Sequence, residues 1–331
     1  MENHRRHSFF WPIILVGVGL IWLLINLGYV PAISIGQVLK FWPVLLIVLG
    51  MDMILGRRFP WAGTLIGLLA VAGVIAFLVM SPNLGIQAAP QMQTETFSAP
   101  IGTASSAKVY LEASSAPVTL DALDSGDELV HAVITHRSIF NFNVSGSSTK
   151  VVRLSETTDP NSWLNWNFTG ETPKWNVQLA KTVPMDVVVD GGSGSLDLNL
   201  GEVQLSSLLA DMGSGSSDII LPAVATPYQV TLDSGSGSVS VKVPEGAAFT
   251  FSLSSGSGSV NVALPTNAAL QVEVFDEGSG SLHLPSGLER VSAAGSGNSL
   301  GVWQTAGFST ATTKIYIKIL DQGSGSINIH E

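Results

Sequence analysis

One phrase constrains the fold more than any other feature of this chain. Gly192-Ser193-Gly194-Ser195 returns at Gly213, Gly235, Gly256, Gly278, Gly295 (as Gly-Ser-Gly-Asn) and Gly323. By subtraction, successive starts lie 21, 22, 21, 22, 17 and 28 residues apart. A nearly fixed period of this size marks a repeat architecture, in which no single unit can bury its apolar face alone and neighbours must stack.

Within each period the apolar residues alternate with polar ones, as in Ser238-Val239-Ser240-Val241-Lys242-Val243 and Ala248-Phe249-Thr250-Phe251-Ser252-Leu253. Strict alternation puts one set of side chains on one face, the signature of a half-buried strand. Proline closes one turn of several units (Pro222, Pro244, Pro265, Pro285), and Gly-Ser-Gly-Ser closes the other, where glycine is expected to supply positive φ. The pattern predicts a flattened β-solenoid with rungs of about 21–22 residues over 186–331. A flexible Gly/Ser linker would not alternate with valine-rich strands at constant period.

The first 80 residues are of a different kind. Three apolar runs, at about 9–28, 38–55 and 61–80, each approach the ~20 residues that a helix needs to cross a bilayer. They predict three transmembrane helices. Arg5 and Arg6 precede the first run, and Arg57 and Arg58 separate the second from the third, so the N-terminus is expected on the cytoplasmic side and the C-terminal part outside. Charge is split accordingly. Up to Met80 there are five basic and two acidic residues, or +3, and the rest of the chain, with ten basic and 23 acidic, carries −13. An acidic exterior part without a basic stripe argues against nucleic-acid binding.

Residues 81–105, rich in Pro, Ala, Gln and Ser, read as a linker. From 106 to 185 strands continue without the regular phrase, and this stretch reads as the N-terminal cap of the solenoid, with Ala113-Ser114-Ser115-Ala116-Pro117 where a Gly-Ser corner would stand.

Phe10-Trp11-Pro12-Ile13-Ile14-Leu15 and Phe41-Trp42-Pro43-Val44-Leu45-Leu46 are two similar helix starts, with tryptophan suited to the headgroup boundary and proline to the first helical turn. These starts, with the glycines Gly17 and Gly50 that follow, resemble the membrane region shared by LiaI and LiaF, proteins linked to bacterial cell-envelope stress responses. The Gly-Ser-Gly-Ser rungs, and the piece from Val109-Tyr110-Leu111 through Trp175-Asn176-Val177, are similar to the toast-rack domains that often follow such spans. The resemblance implies partners in the membrane, such as a sensor kinase. LiaF proteins usually have four spans, against the three expected here.

The candidate site residues fall into three groups. Asp190, Asp211, Asp233, Asp276 and Asp321 each stand two residues before a corner glycine, so stacking would bring them together at roughly the strand spacing of 4.8 Å. Solvent screening, Asx-turns onto the corner N–H groups and calcium between Asp190, Asp211 and Asp233 are the readings of that column. Trp163, Trp166, Phe168 and Trp175, set among Asn161, Asn165, Asn167 and Asn176, could stack on a cell-wall polymer, form a capping core, or meet the membrane interface. Asp52, inside the second apolar run, is either an intramembrane polar site or a snorkelling side chain near Arg57 and Arg58.

No cysteine is present, which removes disulfides and thiol catalysis. No nucleophile triad or phosphate-binding loop is apparent, and the corner aspartates have only glycine and serine as neighbours, so the chain reads as non-enzymatic and without a cofactor. Two functions follow as expectations: envelope stress sensing through membrane-protein partners, or an adhesin-like, self-assembling surface module that binds envelope polymers. The second is suggested by Ser326-Ile327-Asn328-Ile329-His330-Glu331, which looks like an uncapped final rung.

Overall fold

A computed structural model describes residues 10–27, 46, 47, 50, 60–80, 92–157 except 125 and 138, and 172–331 except 295, 296 and 298. The helices Phe10–Asn26 and Pro60–Met80 belong to one compact unit, and the strands to a second, Met92–Thr158 with Thr172–Glu331.

In the helical unit, apolar side chains such as Leu15, Val16, Leu68 and Leu69 face outward, while Gly17 and Gly67 are buried. A Cβ at Gly17 would stand 2.4 Å from Cγ2 of Val71, so glycine is what lets the two helices approach there. In Pro60–Met80 the described side chains run from 65 to 77. Among the described residues no helix is long and apolar enough to cross a membrane. Most of the second expected span, Asp52 included, lies outside the described residues.

The β unit is two facing sheets between which the chain passes back and forth. One holds ten strands, in the order Gln93–Pro100, Glu128–His136, Lys174–Ala180, Val118–Leu123, Leu196–Asn199, Ser217–Ile220, Ser238–Lys242, Ser259–Ala263, Ser326–His330, Ser281–His283. The other holds eleven: Ile139–Ser145, Thr149–Thr157, Ser106–Glu112, Met185–Asp190, Leu205–Met212, Tyr228–Ser234, Phe249–Ser255, Ile315–Asp321, Leu270–Val274, Gly301–Thr305, Leu288–Ala293.

The middle of each sheet is parallel, and its register is the sequence period. Val187 pairs with Leu208, Leu208 with Val230 and Val230 with Phe251, offsets of 21, 22 and 21 by subtraction. Equivalent residues therefore stack directly. Val109, Val187, Leu208, Val230, Phe251, Ile317 and Val272 form one continuous buried column, and Leu120, Leu198, Ile219, Val241, Val262 and Ile329 form another on the facing sheet.

Spatial order departs from sequence order at both ends. Beside Phe249–Ser255 lies Ile315–Asp321, with Leu270–Val274 beyond it; on the other sheet Ser326–His330 lies between Ser259–Ala263 and Ser281–His283. The expected uncapped final rung is thus an interior one, paired on both sides. Near the other end Ser106–Glu112 is likewise interior, between Thr149–Thr157 and Met185–Asp190. The irregular steps of 17 and 28 have the same origin, because the sixth phrase, beginning at Gly295, falls in sequence between the antiparallel strands Leu288–Ala293 and Gly301–Thr305.

The two kinds of corner exchange the roles expected of them. Positive φ occurs at the proline corners, at Gly246 (78°), Asn267 (61°) and Gly287 (85°), each two residues after Pro244, Pro265 or Pro285, as a type II turn requires. Among the described glycines of the Gly-Ser-Gly-Ser phrases, only Gly192 and Gly323 have positive φ. In the stacked corners glycine is required by close backbone approach: a Cβ on Gly215 would lie 1.8 Å from the carbonyl oxygen of Gly194, and one on Gly258 the same distance from that of Gly237. These corners are themselves laddered, with Ser214 N–H donating to Gly192 O (3.1 Å), Ser236 to Gly213 O (3.1 Å), Ser257 to Gly235 O (3.1 Å) and Ser324 to Gly256 O (3.0 Å).

The core is closed by aromatic side chains. Phe97 and Phe140, from the edge strands of the two sheets, stack at 5.0 Å, and Phe140 meets Trp175 edge-on at 5.0 Å. At the opposite end Trp303 continues the column beyond Val272, and the Arg290 guanidinium lies 5.6 Å from its ring.

Gly215→Ala is expected to destabilise the fold by at least about 2 kcal/mol, the usual range for overpacking against backbone that cannot move. Gly201→Ala, whose Cβ would be 3.4 Å from its nearest neighbour, should cost under about 0.5 kcal/mol. Urea unfolding of both variants checks the contrast; equal losses would mean that the corner approach is not what requires glycine.

Candidate functional site: the acidic row and serine corner

Parallel pairing puts Glu112, Asp190, Asp211 and Asp233 side by side on four adjacent strands, each directly opposite the next. The row then runs through Ser254 to Asp321. Asp276, expected in the same column, follows the strand Leu270–Val274 and makes none of its pairings.

Spacing across the row is that of neighbouring strands, about 4.8 Å. Its first member is neutralised, since Arg153 Nη1 donates to Glu112 Oε1 at 2.8 Å while the same guanidinium lies 4.3 Å from the Tyr110 ring. Asp190, Asp211 and Asp233 are exposed, and among the described residues they have no basic partner. Partial burial, and then the charges of Asp190 and Asp233, push the Asp211 carboxyl above the ordinary carboxylate range. An Asx-turn forms only at the far end of the row, where Gly323 N–H donates to Asp321 Oδ1 at 2.8 Å. Among the described residues no group of three or more His, Asp or Glu side chains is placed to hold a metal ion, the Asp190, Asp211 and Asp233 row included.

Beside the row runs the outer surface of the corners. Ser193, Ser214, Ser236, Ser257, Ser324 and Ser279 are exposed there in spatial order, over a floor of glycine backbone. Toward its C-terminal end this surface forms a shallow trough of about 630 Å³. Some hydroxyls bond along the stack, Ser259 Oγ donating to Ser238 Oγ at 3.2 Å. Carboxylates, hydroxyls and backbone can hold a polar partner by hydrogen bonds. Among the described residues no basic group faces Asp190, Asp211 or Asp233.

Trp175 is fully buried at 0% exposure and is part of the core, so it offers no face to a ligand. Its indole N–H has no partner among the described residues. Trp163 and Trp166 lie outside the described residues. What sequence reasoning missed here is the aromatic closure by Phe97, Phe140 and Phe142. The signal was available, since all three occupy inward positions of alternating strands.

With this geometry in view, two family models match parts of the chain. Residues 9–54 match the LiaI-LiaF-like transmembrane region, and residues 87–242 match the N-terminal domain of toast_rack. The chain carries a LiaI-LiaF-like membrane region followed by a toast-rack domain. The toast-rack match spans the Glu112 to Asp233 row and three of the Gly-Ser-Gly-Ser corners. Two solved structures resemble 72% of the chain. One is a candidate cell adhesion protein from Clostridium sporogenes, 15% identical, with 99% of that chain covered and a TM-score of 0.45. The other is a candidate adhesin from Bacteroides fragilis, 13% identical, with 98% of that chain covered and a TM-score of 0.28. No curated protein matches.

The raised Asp211 carboxyl has a definite sign. The folded state holds this proton more tightly than the unfolded state does, so the charged form weakens the toast-rack fold above the carboxylate range, and the loss disappears as pH falls through it. Asp211→Asn should therefore stabilise by a few tenths of a kcal/mol at pH 7, the exposed row being screened by water, and by nothing at pH 3. Urea midpoints at the two pH values test this; a loss at pH 7 would show that the carboxylate is bound rather than repelled. Trp175→Ala should cost about 3–5 kcal/mol, a loss of stability that a purely ligand-facing tryptophan would not produce.

Proposed function

We propose that this protein spans the cell membrane three times, at about 9–28, 38–55 and 61–80, with its N-terminus in the cytoplasm. Its toast-rack domain lies outside and takes part in sensing or regulating cell-envelope stress through membrane-protein partners such as a sensor kinase. The observation that carries this reading is the joining of the two matched regions in one chain, 9–54 and 87–242. The division of charge, +3 up to Met80 and −13 after it, supports the orientation. Both matched families are of non-catalytic kinds.

In this reading Asp52 is the polar contact within the membrane, where an ionisable side chain needs a partner. Trp163 and Trp166 are the contacts with envelope polymer that the surface-module alternative would use. The alternative, an adhesin-like or self-assembling surface module, loses the edge that suggested it, because Ser326–His330 is paired on both sides.

The absence of cysteine makes the test clean. A membrane-impermeant maleimide applied to intact cells should label Ser214→Cys and leave Ser8→Cys unlabelled until the membrane is opened. Cross-linking in the same cells, followed by gentle solubilisation, should recover a membrane protein with wild type and less of it with Asp52→Ala. Labelling of Ser8→Cys from outside would reverse the topology. Recovery of peptidoglycan instead of a membrane protein would favour the surface-module reading.

A further inference from the structure

The two sheets end unevenly on the C-terminal side. Past the rung made by Leu270–Val274 and Ser281–His283, the eleven-stranded sheet adds Gly301–Thr305 and Leu288–Ala293, and the ten-stranded sheet adds nothing. This leaves a step two strands deep, about 10 Å. A cavity of about 310 Å³ opens on it, lined by Leu282, Leu284, Pro285, Leu288 and Trp303 together with the polar Ser299. Both strands bordering the step have an unpaired edge. Val291 on one of them is 55% exposed, and Phe275 nearby is 54% exposed. The edges are short, three and six residues, and among the described residues no other element covers them.

We propose that a second copy of this chain docks on this step about a two-fold axis parallel to the strands. Such a rotation brings one copy's ten-stranded sheet level with the other's eleven-stranded sheet. Each overhang of two strands then fills the other's deficit of two, and both sheets run on without a break. A two-fold contact is self-complementary by construction and closes at two copies. Leu288–Ala293 runs parallel to Leu270–Val274, two antiparallel steps away, and therefore opposite to Ser281–His283 across the rung. The meeting edges are antiparallel, which suits direct ladder bonds. Arg290 is already provided for: its guanidinium faces Trp303 and donates to the carbonyls of Leu300 and Gly297.

The opposite end does not fit as a partner. Beyond the rung Thr149–Thr157 and Lys174–Ala180 the ten-stranded sheet adds two strands and the eleven-stranded sheet one. Joined head to tail, one sheet would gain two strands between copies and the other three. That end is also sealed by Phe97, Phe140 and Phe142. The two-fold arrangement further keeps Gln93, where the chain enters the domain on the side of the Gly-Ser corners, on the same side in both copies. Two chains held by one membrane require that.

The test uses full-length chain in membranes. A tagged Ser281→Cys chain coexpressed with an untagged Val291→Cys chain should be joined by a short bis-maleimide into a species of two chains and no longer series. A Thr96→Cys chain, substituted on the opposite edge, should stay single. Solubilised wild type should sediment as a dimer, and Val291→Glu should weaken that dimer at least about tenfold while its melting temperature is unchanged. A monomeric wild type, a ladder of larger species, or cross-linking through Thr96→Cys as strong as through the Ser281→Cys and Val291→Cys pair would each overturn the proposal.

Discussion

The whole β unit depends on how closely one corner can sit upon the next. A carbonyl oxygen of each Gly-Ser-Gly-Ser corner occupies the place that a side chain on the following corner would need, as with Gly194 O under Gly215. This contact lets corner N–H groups reach the rung below at about 3.1 Å. With the corners in register, the strands on either side are in register too, and equivalent valines, leucines and isoleucines stack into columns. A single Cβ in the wrong place would tilt a rung relative to its neighbour, and both columns would lose their contact at once.

That arrangement has an electrostatic cost on the outside. The register that stacks Val189, Ala210 and Leu232 inward also stacks Asp190, Asp211 and Asp233 outward one residue later. Side chains alternate across a strand, so the acidic row and the buried column cannot be adjusted separately. The cost is tolerated because the carboxylates are exposed, and because Arg153 neutralises the neighbouring Glu112.

Much of this was legible in the sequence because a parallel stack turns sequence period directly into register. The offsets of 21 and 22 between paired residues are the spacings of the Gly-Ser phrases themselves. The insertion of Ile315–Asp321 beside Phe249–Ser255 was not legible, since alternation identifies a strand without naming its neighbour. Of the three readings open for Trp175, its burial selects the capping core: in a strand the residues beside a buried side chain point the other way, so its asparagine neighbours do not imply an exposed ring. The reason for glycine at the corners was misread for a related cause. Sequence shows that a position is glycine, but close approach and positive φ both demand it, and only the stacked rungs separate the two.

The inserted rung also bears on how the domain can be made. A solenoid whose rungs follow one another in space can zip up as it leaves the ribosome, each unit docking on a finished predecessor. Here the edge of Phe249–Ser255 must wait for Ile315, 66 residues downstream of its partner Phe249, before it is covered. During that interval the nascent domain presents a parallel edge and a half-covered apolar column to its surroundings. Its folding is therefore concluded in one late, long-range event, and the period before that event is when a chaperone or a neighbouring nascent chain has access to the edge.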